Sequence, residues 1–334
     1  MILRPRQEVF VRRCLEALRE HGAALGVAPT GAGKTAMLCA VAREHERVLV
    51  LQHREELVAQ NARAWAAMCP GRPSGRWTAR EKRWAGTTFA MVPTLSRPES
   101  LKALPPFDLV VCDEAHHVRA DSWRAILDRA REVQPAVRVL GVTATPDRGD
   151  GRGLRAVFPV CADRIGIGEL VSAGHLVPPV AWVADLGAET EGALASLRRG
   201  SAGEFDLGEA ADVLDRPVLR DAVVREWAAR AADRTTVAFC ATVDHARHLR
   251  DAFRERGVEA DLVTGEDRPA ERAEAFARLE EGRSRVLCNV FVASEGWDCP
   301  RCSCVVLLRP SSYRSTMAQM IGRGLRALPP GRHP

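Results

Sequence analysis

Residues 26–35 read GVAPTGAGKT. An apolar, extended lead-in, ALGVA at 24–28, runs into a glycine turn, and helical spacing begins at Thr35. The pattern G-x-x-x-x-G-K-[ST] is met at Gly33, Lys34 and Thr35, with Ala28 in place of its first glycine. These residue types serve a purpose. Across Thr30, Gly31, Ala32 and Gly33 the backbone N–H groups can turn inward around phosphate oxygens, and the following helix N-terminus adds positive potential. Lys34 is placed to reach the outer phosphates of a nucleotide, and Thr35 to hold Mg²⁺. Strand, phosphate turn and helix in that order open an α/β fold.

A phosphate site needs a second magnesium ligand and a group that activates water. FDLVVCDEAHHV at 107–118 supplies both, as an apolar strand ending in Asp113 and Glu114. Ligands of open α/β sheets bind at the carboxyl ends of strands, where this acidic pair falls. Asp113 is the expected metal ligand, and Glu114 the group that orients and deprotonates the attacking water.

Further strands are expected at 48–52, 138–143, 237–240, 286–290 and 304–308. They alternate with helical stretches at 53–67, 217–232, 243–256 and 269–281, as in a βαβ protein. A chain of 334 residues is comfortable for two domains. The boundary is expected near 172, with LVSAGHLVPPVAW at 170–182 as the crossing and 186–206 as a polar surface excursion. No apolar run reaches the ~18–20 residues of a membrane span, and the N-terminus lacks a signal-peptide core. With ten scattered cysteines, several inside apolar runs, the chain reads as cytoplasmic with reduced thiols. Cys299, Cys302 and Cys304 lack a second pair for a zinc site, and His245 and His248 read as surface histidines. GRPSGRWTAREKRW at 71–84 interleaves arginines with Trp77 and Trp84, a composition that suits single strands or a plain exposed loop.

APTGAGKT, DEAH, GVTATPDR (141–148), EGWD (295–298) and QMIGRGLR (319–326) follow one another along the chain. In order and spacing they resemble the motifs of superfamily 2 helicases, nearest to the bacterial RadD/XPB-like DEAH-box group. The resemblance implies two tandem RecA-like domains, 1–172 and 173–334, each a parallel sheet flanked by helices, with ATP and Mg²⁺ held between them. It implies that Arg323 and Arg326 act as arginine fingers on the phosphates, with Gln319 positioning water or phosphate. Gly296 and Asp298 would sense the nucleotide, and Gln7, helped by Arg4 in LRPRQ, would read the adenine edge. His116 would contact the nucleotide or the neighbouring motif, and Thr143 and Thr145 would couple the acidic pair to the gap between domains. Arg54, Thr94 and Thr242 match motif positions that grip nucleic acid, expected to be DNA rather than RNA. Asn289 stands where a threonine is frequent. The chain ends soon after Arg326 without the apolar strand expected to complete the second sheet, which predicts a truncation or a following domain. The implied activity is that of an ATP-dependent helicase or translocase, against a duplex translocase or an ATP-gated clamp.

Overall fold

The structure, a computed structural model, describes residues 2–145, 152–200, 203–294, 297 and 299–327. The chain divides into two compact units, 1–170 and 171–334.

The first unit begins with helix α1 (Pro5–His21), whose buried residues Phe10, Val11, Cys14, Ala17 and Leu18 recur at helical spacing. There follow β1 (Ala23–Val27), α2 (Lys34–Ala42), β2 (Val48–Gln52), α3 (Glu55–Met68), β3 (Ser74–Trp77), β4 (Lys82–Arg83) and β5 (Thr87–Met91). Short α4 (Val92–Leu95) and α5 (Pro98–Lys102) lead to β6 (Leu109–Asp113), then α6 (Asp121–Val133), β7 (Arg138–Thr143), α7 (Arg152–Arg155), β8 (Val160–Arg164) and α8 (Ile167–Ser172). The sheet order is β4-β3-β5-β2-β6-β7-β1-β8, parallel throughout except for the β3–β4 pair. β2 (VLVLQ) and β6 (LVVCD) are buried at every residue, as interior strands of a parallel sheet covered on both faces must be. The sheet therefore brings the carboxyl ends of β1, β2, β6 and β7 to one rim.

The stretch 71–84 is not a free loop. Trp77 is buried in β3 and stacks on Trp84 with ring centroids 3.9 Å apart, and Trp84 in turn packs against Phe107. Those rings serve the core, which removes them from base stacking.

The second unit contains α9 (Ala188–Ala195), α10 (Leu207–Leu214), α11 (Pro217–Ala231), β9 (Thr235–Cys240), α12 (Val243–Glu255) and β10 (Ala260–Val263). It continues with α13 (Pro269–Glu280), β11 (Val286–Asn289), β12 (Cys302–Leu308) and α14 (Arg314–Ile321). Its sheet is β10-β11-β9-β12, all parallel. The segment 186–206 is more ordered than a surface excursion: α9 forms within it, and Leu197 packs with Leu207 against Ala210, Ala211 and Ala241. His245 is not a surface residue. It lies on the buried stripe of α12 with Ala246, Leu249, Ala252 and Phe253, because the i, i+1, i+4 spacing turns it inward. His248 takes the exposed side and sits 2.7 Å from Asp215 Oδ2. Cys299 and Cys302 are buried in an apolar cluster with Val237 and Leu287. Among the described residues no helix is long and apolar enough to cross a membrane.

Candidate active site

The site is assembled at the rim of the first sheet. β1 ends at Val27, and Ala28 continues as a backbone partner of β7, its N–H donating to the Thr143 carbonyl at 2.9 Å. Gly31 and Gly33 both have positive φ, 88° and 83°, which a side chain would strain. Gly33 has a second constraint: a Cβ there would collide with the Gln7 amide. The loop thus turns tightly and delivers Lys34 as the first residue of α2, whose N-terminus points free N–H groups at the site.

Gln7 braces this loop. It is buried, its Nε2 donates to the Ala32 carbonyl at 2.8 Å, and its Oε1 accepts the Arg4 N–H at 2.9 Å. The amide expected to read adenine is therefore joined to the phosphate loop itself. The Arg4 side chain is exposed.

At the end of β6, Asp113 and Glu114 turn toward Lys34. Lys34 Nζ lies 3.8 Å from Glu114 Oε1, with both side chains largely buried. Glu114 adopts φ 54°, ψ 55°, a left-handed conformation that is uncommon outside glycine and that re-aims its side chain. Burial pushes the Asp113 carboxyl above its ordinary range, and the neighbouring Glu114 charge pushes it further. Lys34 and the amides of Asn61 and Gln52 work in the opposite direction. Asn61 Nδ2 donates to Asp113 Oδ2 at 2.9 Å and Gln52 Nε2 at 3.3 Å.

His116 is buried, with Nδ1 3.1 Å from Thr143 Oγ1 and 3.5 Å from Glu114 Oε2. The Thr143 hydroxyl in turn accepts the Thr145 N–H at 3.1 Å. The acidic pair is thereby tied to the end of β7 through one imidazole and one hydroxyl. The His117 ring lies 4.2 Å from His116 and 4.5 Å from His53, centroid to centroid.

The donor set suits a small hard cation. Thr35 is the second residue of α2, directly after the lysine that faces Glu114, and Glu114 Oε2 is buried with no hydrogen-bond partner among the described residues. Oxygen donors from one or two carboxylates plus phosphate are what Mg²⁺ takes.

Of the expected nucleic-acid contacts, Arg54 stands at the N-cap of α3 and is partly exposed. The Thr242 oxygen accepts the His245 N–H at 3.2 Å and caps α12. Thr94 is buried in α4.

In the second unit Gln319 is buried on α14. The helix stops at Ile321, before Arg323 and Arg326. Gly322 and Gly324 end it, Arg323 is buried in the turn with Nη1 donating to the Trp297 carbonyl, and Arg326 pairs in a short bridge with Leu176. Gly296 and Asp298 lie outside the described residues. Asn289 is fully buried, giving Nδ2 to the Ala238 carbonyl at 2.9 Å and accepting the Ala293 N–H at 3.1 Å. Sequence reading missed Gln52 and Asn61; the available signal was a polar residue inside an otherwise apolar helix stripe.

A phosphate loop at the rim of a parallel sheet, with a lysine facing an acidic pair, defines a P-loop nucleotide-binding protein built from two α/β units. Residues 1–148 match the family model of the Type III restriction enzyme res subunit, and 218–328 that of the helicase conserved C-terminal domain. The chain is similar in sequence to ATP-dependent helicases over nearly its whole length. It is 26% identical to the putative ATP-dependent helicase IRC3 of Saccharomyces cerevisiae over 97% of this chain and 49% of that protein. To the putative mitochondrial ATP-dependent helicase irc3 of Schizosaccharomyces pombe it is 30% identical, over 97% of this chain and 55% of the other. The chain thus spans about half the length of these curated relatives. The DNA-bound Type ISP restriction-modification enzyme LlaBIII superposes with a TM-score of 0.70 at 17% identity, over 98% of this chain and 27% of its own. The Hef helicase domain of Pyrococcus furiosus gives 0.58 at 16% identity, over 96% and 92%. At such identities these two likenesses speak for the fold.

Proposed function

We propose that this chain is an ATP-dependent nucleic-acid motor of the DEAH type, acting on DNA, with 1–172 as its ATP-binding lobe and 173–334 as its second helicase lobe. We place it with the RadD/XPB-like group on its motifs. The observation that carries the reading is the 3.8 Å approach of Lys34 to Glu114 beside the buried Asp113, at the mouth of a loop whose glycines both have positive φ.

In this reading the loop N–H groups and Lys34 bind and orient the phosphates of ATP, and Gln7 keeps the loop in its binding shape. Glu114 holds the attacking water and takes its proton. Thr35 and Asp113 would hold magnesium, which neutralises phosphate charge when bound with the nucleotide. Arg323 and Arg326 supply positive charge to the phosphates, with Gln319 beside them. Thr143, Thr145 and His116 carry the state of the acidic pair to the end of β7. Arg54 and Thr242 contact the nucleic-acid backbone. Gly296 and Asp298 keep their proposed nucleotide-sensing role from the motif match alone.

A second reading is a translocase that moves on duplex without separating it, and the match to a restriction-enzyme subunit favours it. ATP turnover measured with single-stranded DNA, duplex, forked DNA and RNA separates these readings, together with a strand-displacement assay. A helicase is stimulated by DNA and separates the fork; a translocase is stimulated by duplex without separation. An ATP-gated clamp would bind with little stimulation. Arg323→Ala should lose turnover while still binding ATP, and normal turnover in that variant would overturn its assignment.

A further inference from the structure

The buried stripe of α3 is Leu57, Val58, Asn61, Ala62 and Trp65, four apolar residues and one amide. Asn61 is fully buried, and so is Gln52, the last residue of β2. β2 and β6 are parallel neighbours with Leu51 beside Cys112, so their terminal residues Gln52 and Asp113 meet at the rim. Both amides donate to the same oxygen, Asp113 Oδ2, while the Glu114 N–H donates to Oδ1 at 3.1 Å.

A carboxylate only accepts, so both amides must turn their nitrogen toward it. That choice leaves Gln52 Oε1 and Asn61 Oδ1 buried, with no hydrogen-bond partner among the described residues. Buried acceptors without partners are costly, and methionine or leucine in these places would remove the cost while filling similar volume. Each amide satisfies Asp113 at the expense of its own oxygen, so the arrangement brings little net stability. What they secure is the orientation of one carboxylate, held from three sides.

We propose that Asn61 and Gln52 are positioning residues that hold the Asp113 carboxylate for a divalent cation. The inference rests on the reading of Asp113 as a metal ligand given above. Neither amide needs to touch the metal or the nucleotide; each acts through Asp113. Partners of metal-ligating carboxylates set the orientation of the ligand, and their loss costs ~10–100-fold in metal affinity.

The test is an Mn²⁺ titration followed by electron paramagnetic resonance, in the presence of a non-hydrolysable ATP analogue, on the unaltered chain, Asn61→Leu and Gln52→Met. Each substitution removes one orphaned oxygen but also takes a donor from Asp113 Oδ2, so both variants should stay folded with thermal midpoints near that of the unaltered chain. Their Mn²⁺ affinity should fall ~10–100-fold, while binding of the analogue in EDTA stays the same. Unchanged Mn²⁺ affinity in a folded variant overturns the inference and leaves the site reading intact. An unaltered chain that takes up no Mn²⁺ with the analogue overturns the site reading as well. If Asn61→Leu does not fold, Gln52→Met carries the test. If neither folds, the amides belong to stability and the inference is wrong.

Discussion

β6 and β11, an interior strand of each unit, both end on a buried polar residue, and the two ends are built for opposite purposes. β6 ends on Asp113, an ionisable group raised by burial and by a second carboxylate, among amides whose own oxygens find no hydrogen bond. β11 ends on Asn289, neutral, with its nitrogen and its oxygen each matched to a backbone group. The second arrangement is what a fold does to fasten a turn. The first works against stability at one point and gathers charge there, the usual mark of chemistry.

The largest expected effect breaks the chemical end alone. Glu114→Gln keeps the shape of the side chain and removes the base; ATP turnover should fall by ~10²–10⁴-fold, the usual range for a general base. Nucleotide binding, followed by a fluorescent ATP analogue, should persist. Retained turnover would show that Glu114 is not the group that activates water.

At the structural end, Asn289→Leu leaves the Ala238 carbonyl and the Ala293 N–H without this partner. The expected cost is about 2–4 kcal/mol, read as a lower midpoint in urea. A loss below about 0.5 kcal/mol would mean that Asn289 is not a fastener.

Asp113→Asn should move stability the other way. A carboxyl whose folded pKa lies above its unfolded value is destabilised in its ionised form, and that deficit is present at neutral pH and disappears as pH falls through the folded pKa. The neutral amide should gain about 1 kcal/mol at pH 7, less whatever the lost attraction to Lys34 and the rearranged hydrogen bonds take back. A destabilised Asp113→Asn chain would place Asp113 beside Asn289 as a structural residue.

Much of this contrast was legible in the sequence. The expected strands at 48–52 and 138–143 match β2 and β7, because continuous apolar runs bounded by turns have few other homes. The four expected helices agree with α3, α11, α12 and α13 to within two residues at either end. The phosphate loop and the acidic pair were legible because their chemistry requires particular residue types at fixed spacing. What escaped was contact across the sheet. Nothing in the local sequence says that Asn61 reaches Asp113, since strand order and register decide it. Nor does the spacing of Arg323 and Arg326 alone say whether they share a face, since that depends on where the helix ends, and α14 ends at Ile321. Trp77 and Trp84 looked like exposed aromatics until the β3–β4 pair folded them against each other and Phe107.

The smallest expected effect concerns His245, where burial again opposes charge but no hydrogen-bond donor or acceptor answers it. Both ring nitrogens are buried without a hydrogen-bond partner among the described residues. Burial lowers the imidazole pKa; Asp215 opposes that, and Arg220 and His248 add to it. The unfolded chain therefore takes up a proton that the folded chain resists. Stability should fall as pH drops through the unfolded value of about 6.5 and level off below the folded pKa. The contribution should be visible as a decline in thermal midpoint as pH falls below about 7. His245→Leu should flatten that decline, because it removes the group that titrates and fills the stripe of α12 with an apolar side chain. An identical acid decline in the variant would mean that His245 is not the group that titrates. That result would also mean that a buried polar group without hydrogen bonds can be energetically silent here, which would weaken the inference drawn from the orphaned oxygens of Gln52 and Asn61.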